Sequence, residues 1–237
     1  MIRKLLCFTF LAILLAAASS VSAQKETRLR KKDRKRDVLI ETTMGDMVFR
    51  LSDSTPLHRD NFLLLVKKHY YDSLLFHRVI NNFMIQAGDP DSRGAQPGIA
   101  LGEGGPGFKV PAEFRQTIFH KNGTLAAARE GDNVNPSKAS SGSQFYIVKG
   151  RVFTPAGLDS LENNRLKYKL SPAQREAYTT VGGTPHLDGN YTAFGEMTSG
   201  FDILDKISSS PTSQGKDHDR PLQDIMIIRA KLVKRKK

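Results

Sequence analysis

The chain has 237 residues, a formal net charge of +12, 39% hydrophobic residues, six histidines, no tryptophan and a single cysteine. With Cys7 as its sole thiol, a disulfide framework and a cysteine-based zinc site are excluded. The charge sits at the ends: residues 24–37 carry net +5 and residues 229–237 another +6, which leaves 38–228 close to neutral, unlike a nucleic-acid-binding module.

Arg3 and Lys4 precede an apolar run, Leu5 to Ala18, followed by Val21-Ser22-Ala23 and Gln24. That layout predicts a secretory signal over 1–23, cleaved near Ala23, and an exported protein, periplasmic or secreted. The run is shorter than the roughly 20 residues of a spanning helix, so an uncleaved anchor is the weaker reading. Basic residues just beyond the cleavage point work against export. Residues 24–37 then read as a basic flexible segment, 38–230 as one domain and 231–237 as a basic tail. The tails read as solvated ends; weak contact with an anionic surface is the sharper alternative.

VLIETTMGDMVFRLS predicts a hairpin turning at Met44-Gly45-Asp46. In STPLHRDNFLLLVKKHYYD, Thr55 is a candidate N-cap and Pro56 suits a first helical turn. Phe62, Leu65, Val66 and His69 recur there at helical spacing. FHRVINNFMIQAGD reads as two short strands broken at Asn81-Asn82. A Gly/Pro-rich loop follows, and its GEGGPGF lacks the Lys-Ser/Thr of a phosphate loop. TLAAARE and SQFYIVKG are strand candidates. Residues 151–184 look like a partly helical insertion, with a capped helix opening at Ser171-Pro172. NYTAFGEM reads as a strand, FDILDKISSS as a short helix and LQDIMIIRAKLV as a closing strand. Many hairpin strands and few helices predict a mainly β fold, a closed or nearly closed barrel. The histidines show no metal-ligand spacing, and no serine lies in a nucleophile elbow. No metal and no cofactor are expected.

Strand parity puts Met84 beside Gln86 on one face and Gln144 beside Tyr146 on another, each pairing an apolar wall with a long amide. Arg78 lies within reach if these strands are neighbours. Together they predict an apolar pocket rimmed by hydrogen-bonding groups. Parity alone leaves open the blander reading, with Arg78 a solvated strand residue and Phe83 and Met84 ordinary core.

FHRVINNFMIQAGD, GTLAAARE, SSGSQFYIV, HLDGNYTAFGEM and the strand after RPLQD, in that order, resemble the cyclophilin family of peptidyl-prolyl cis-trans isomerases. The resemblance runs from about Val38 to Ile228, interrupted by the insertion. It implies a closed eight-stranded antiparallel β-barrel capped by two helices. It implies Arg78 as the catalytic arginine, with Gln86 gripping the peptide. Phe83, Met84, Tyr146 and Leu187 would wall a proline pocket, Ala128 and Arg129 would hold the peptide backbone, and Gln144 would support the arginine side. Four positions depart from the commonest pattern: Tyr146 replaces a phenylalanine, His186 a tryptophan, Tyr191 a histidine and Arg129 an asparagine. His186 implies a weakened response to cyclosporin-type ligands.

The implied chemistry needs no titrating group. Rotation about an X-Pro bond meets a barrier near 20 kcal/mol because resonance stiffens the amide. In the twisted transition state the prolyl nitrogen gains a free lone pair, to which a fixed guanidinium can donate. The implied partners are proline-containing unfolded or extended polypeptides, with no specific nucleic acid, and a monomer is expected. A proline-peptide-binding chaperone module with little turnover is the alternative. The insertion, next to Leu187, is expected to shape the substrate groove.

Overall fold

A computed structural model describes residues 27–236. The predicted signal, 1–23, lies outside the described residues.

The chain opens with the predicted hairpin, β1 (Arg36–Thr42) and β2 (Gly45–Leu51). Val38, Ile40, Met47, Phe49 and Leu51 point inward at alternate positions, as a half-buried sheet requires. Helix α1 (Pro56–Lys67) follows. Its buried stripe is Phe62, Leu63, Leu65 and Val66; His69 lies beyond the helix, exposed, at a φ of +56°. Thr55 makes no side-chain cap. The Glu113 carboxylate takes that role from another part of the chain, accepting from the N–H of Leu57 (3.2 Å) and of His58 (3.0 Å).

Next come β3 (Arg78–Ile80) and β4 (Met84–Ala87), turning at Asn82 with φ +57°. The glycine-rich loop contains only β5 (Lys109–Val110), paired with β7 (Ser140–Ser141). The remaining strands are β6 (Thr124–Ala127), β8 (Phe145–Val148), β9 (Ala193–Ser199) and β10 (Ile227–Lys234). The main sheet is antiparallel, with eight strands in the order β10-β1-β2-β9-β6-β8-β4-β3.

The sheet curls into a half-barrel and does not close, contrary to the expected closed barrel. Among the described residues its edges β3 and β10 share no ladder. Only three residues of β3 stay extended, and the chain beside it crosses the gap with isolated bonds. These run from Ser73 N–H to Ile227 O, from Phe76 N–H to Ile225 O and from Ile227 N–H to Leu74 O, each at 2.8 Å.

The concave side holds the main core. It takes Ile85, Leu125, Phe145 and Ile147 from the central strands, α1, and helix α4 (Phe201–Ser208) through Ile203, Leu204 and Ile207. The opposite face of the same strands carries a smaller cluster of Met84, Ala126, Ala128, Tyr146 and Val148, joined by Leu187 and Ala193. Strand parity sorts neighbours into two apolar environments, and the site is built on the second.

The described part of the basic segment before the domain, expected to be flexible, is tied down. Asp33 in a short 3-10 turn is 1% exposed, bound by Lys67 at 2.8 Å, while Arg34 forks onto Asp60 at 2.6 Å. The expected tail also changes character: β10 runs to Lys234, which pairs with Arg36. The ladder continues past residue 230 because the N–H and C=O groups of Arg36 to Leu39 on β1 pair with it.

The insertion contains α2 (Pro155–Leu161), continued by one wide turn to Leu166, and α3 (Pro172–Thr180). Ser171 and Gln174 form a reciprocal capping box at the start of α3. Leu158, Leu170 and Tyr178 form a third small core.

Candidate active site

Antiparallel pairing places Arg78 opposite Gln86, and Gln86 opposite Tyr146, across three adjacent strands. Parity then turns Arg78, Met84, Gln86 and Tyr146 to the convex face. There they line a hollow of about 160 Å³ together with Phe83, Ala128, Arg129, Leu187 and Tyr191. Sites for drug-sized ligands occupy about 300–1,000 Å³, so this one suits a small ring. Met84, Tyr146 and Leu187 are 2%, 4% and 7% exposed and make a dry floor. Leu187 arrives on a short 3-10 turn after the insertion.

Arg78 stands at the rim with a half-exposed side chain. Its hydrogen bond among the described residues is a long one, Nε to Asp219 at 3.4 Å. The terminal guanidinium nitrogens are therefore uncommitted and can serve a bound group.

Gln144 is not in this hollow. It stands behind Gln86, in an adjoining groove of about 540 Å³ that shares Gln86, Ala128 and Arg129. Its amide donates to the carbonyls of Gly102 (2.7 Å) and Gly104 (2.8 Å), so its oxygen must face Gln86 Nε2, 2.9 Å away. Two backbone carbonyls thereby set the orientation of both amides. Gln144 supports Gln86, rather than the arginine directly.

His186 also stays outside the hollow. Its ring stacks on Phe83, with centroids 5.7 Å apart and planes at 18°, and burial holds its pKa down at about 4. Arg129 is present at the rim, but its side chain braces the protein. It pairs with Asp132 at 2.6 Å, donates to Asn190 O at 2.7 Å and lies 4.5 Å from the Tyr191 ring centroid. Its backbone N–H and C=O make no hydrogen bond among the described residues. That edge can accept an extended peptide.

A second constellation was not legible in the sequence. Ser140 Oγ lies 2.9 Å from His58 Nε2, and His58 Nδ1 lies 2.8 Å from Glu113 Oε2. The spacing is that of a catalytic triad. Ser140, His58 and Glu113 are 1%, 3% and 6% exposed, and the carboxylate is occupied in capping α1. With no access for substrate, this is a structural clamp between the loop and α1.

Residues 37–232 match the family described as cyclophilin type peptidyl-prolyl cis-trans isomerase/CLD. The chain belongs to the cyclophilin-type peptidyl-prolyl cis-trans isomerases. A relative from Staphylococcus saprophyticus named as such an isomerase is 34% identical over 197 residues, covering 83% of this chain and 91% of its own. One from Staphylococcus aureus is 35% identical over 191 residues, covering 80% and 88%. The crystal structure of a Cryptosporidium parvum cyclophilin type isomerase superposes with a TM-score of 0.59 at 25% identity, covering 85% of this chain and 99% of that one. A further structure of that protein, in the presence of the dipeptide Ala-Pro, gives a TM-score of 0.57, again at 25% identity, covering 83% and 98%. The activity of this cyclophilin is therefore rotation of peptidyl-prolyl bonds.

Proposed function

We propose that the hollow seats the prolyl ring of an X-Pro segment and that Arg78 donates to the prolyl nitrogen as the amide twists. The supporting observation is that Arg78, with uncommitted donors, borders the dry floor of Met84, Tyr146 and Leu187. A planar amide nitrogen has its lone pair delocalised and offers the guanidinium little. The twisted nitrogen is pyramidal and accepts fully, so the bond is strongest where the barrier lies. Arginine suits this because it stays charged and holds its donors in a rigid fork. The floor keeps water from competing and holds the ring while the acyl side turns. Gln86, oriented by Gln144, and the unpaired backbone of Arg129 grip the flanking peptide, so rotation is confined to one bond. No covalent intermediate is formed.

Arg78→Ala should fold normally and lose about 100-fold in kcat/KM, by analogy with loss of one transition-state donor. A protease-coupled assay on an X-Pro peptide reads it. Wild-type turnover in the variant would remove Arg78 from the mechanism. If NMR exchange shows the wild type binding proline peptides without accelerating their isomerisation, the site is a binding module instead.

We further propose that the substrates are exported polypeptides, on the strength of the signal-like residues 1–23. Cell fractionation with sequencing of the mature N-terminus tests this; a cytoplasmic protein with Met1 retained would refute it. The pairing of Arg36 with Lys234 sets one exposed basic residue from each end side by side on one face of the sheet. Weak, salt-sensitive contact of that face with anionic vesicles is the corresponding expectation, refuted by equal binding to neutral ones.

A further inference from the structure

Beneath the hollow a buried chain of hydrogen bonds starts at its floor and ends in the insertion. The Tyr146 hydroxyl lies 2.9 Å from His120 Nε2, and His120 Nδ1 lies 2.8 Å from Asp188 Oδ1. Asp188 Oδ2 accepts from the Tyr178 hydroxyl at 2.6 Å and from Gln174 Nε2 at 2.9 Å. The backbone N–H of His120 adds another bond to Asp188 Oδ1, also at 2.9 Å. His120 and Tyr178 are wholly buried, and Tyr146 and Asp188 are 4% and 9% exposed.

One proton assignment satisfies every member. An ionised carboxylate only accepts, so His120 carries its proton on Nδ1 and Tyr178 donates. Nε2 of His120 is then bare and accepts a hydrogen bond from the Tyr146 hydroxyl. Burial and the Asp188 charge both push the Tyr178 phenol well above its ordinary pKa, which keeps it a donor.

Each link creates the need for the next. A phenylalanine in the wall would require no partner; a buried tyrosine hydroxyl does. Its partner His120 then needs an acceptor to hold its tautomer. A buried carboxylate in turn needs donors, and two of the four that Asp188 receives come from α3. The insertion holds those donors firmly. The Tyr178 ring packs with Leu158 and Leu170, and Thr184 N–H donates to His120 O at 2.8 Å. At Gly183 the returning chain passes so close to the His120 carbonyl that any Cβ there would collide with it.

We propose that residues 151–184 are a positioning element of the proline-binding wall, acting through Asp188 and His120 on the Tyr146 ring. This rests on the isomerase reading of the hollow. Tyr178 and Gln174 touch no substrate. They set how rigidly Tyr146 presents its ring, and so how tightly the prolyl ring is held. A wall shared by ground and transition states affects KM and leaves kcat alone.

The test is Tyr178→Phe in the full chain, with Gln174→Met as a second variant in case the first unfolds; thermal melts establish folding. The probes are the dissociation constant for an Ala-Pro peptide, KM and kcat, and the Tyr146 ring resonances by NMR. Losing one buried donor is expected to raise Kd and KM about fivefold with kcat within about twofold. In a Tyr146→Phe background, where the chain has no terminus at the hollow, the same substitution should change Kd by less than about twofold. Equal effects in both backgrounds would overturn the proposal. So would unaltered Kd and ring resonances in both folded variants. A wild type that binds the peptide but does not isomerise it would sink the isomerase reading alone, because Kd and the ring signals still report on the relay.

Discussion

Two substitutions of Gln144 are expected to separate stability from catalysis. In Gln144→Glu the side chain keeps its shape but, ionised at neutral pH, has no proton to donate. The bonds to Gly102 O and Gly104 O are lost, and a negative charge stands where a donor stood less than 3 Å from either oxygen. At about 1 kcal/mol per bond the lost bonds cost roughly 2 kcal/mol, and a buried carboxylate turned towards two carbonyl oxygens adds to that. The carboxylate still accepts from Gln86 Nε2, so Gln86 keeps its orientation. Gln144→Leu loses the same two bonds and also leaves Gln86 without its acceptor. Urea unfolding should show at least about 2 kcal/mol of destabilisation in Gln144→Glu and about 3 kcal/mol in Gln144→Leu, which loses a third bond. The protease-coupled assay should show kcat/KM within about threefold of wild type for Gln144→Glu and about tenfold lower for Gln144→Leu, since one grip on the peptide is worth about one hydrogen bond. If the two variants lose activity equally, Gln144 acts through the loop and not through Gln86, and the reasoning fails.

Arg129→Ala removes the cation stacked on Tyr191, and a loss of about 1 kcal/mol or less predicts KM raised up to about fivefold at unchanged kcat. Steady-state kinetics checks this, and a collapse of kcat would contradict the bracing role. His77 is buried, and desolvation above all brings its pKa down from 6.5 to about 4. The folded state thus binds fewer protons than the unfolded one, so stability is complete above about pH 6.5 and falls as the pH drops towards 4. The share of that loss due to His77 should be roughly 3 kcal/mol, and His77→Leu should remove that share in chemical unfolding measured at several pH values, leaving the part due to His186. An unchanged slope in the variant would place the acid sensitivity elsewhere. Burial opposes ionisation of Asp33, yet hydrogen bonds from Lys67 and Arg30 outweigh it and hold the carboxyl below the usual range. Its contribution is present above the unfolded pKa of about 4 and disappears at lower pH. Asp33→Asn should lower the melting temperature at neutral pH and speed proteolytic clipping before Arg36; resistance equal to wild type would show that the segment is held by other contacts.

The hairpin β1–β2, the strands around Asn82, α1 and the capped α3 were legible because each rests on a local rule. Alternation, helical spacing, Pro in a first turn and Ser171 before Pro172 are properties of neighbouring residues. The face shared by Met84 and Gln86, and that shared by Gln144 and Tyr146, followed from the two-residue period of a strand. The cap of α1 was not legible, because Glu113 lies more than fifty residues away in sequence. Closure of the barrel was misjudged for a related reason. Strand count does not show whether the two edge strands can ladder with one another.

The sequence by itself determined the family, the mainly β class, the order of the elements and which side chains share a strand face, since these follow from motif order and backbone periodicity. Tertiary structure alone decided the remainder. It put His186 behind Phe83, turned Arg129 into a brace, set both amides from two loop carbonyls, and docked the basic ends that composition marks as loose. It also joined Tyr146 to Tyr178 through two buried partners. Each of these depends on groups far apart in the chain meeting at hydrogen-bond distance, and no local pattern encodes a distance between strangers.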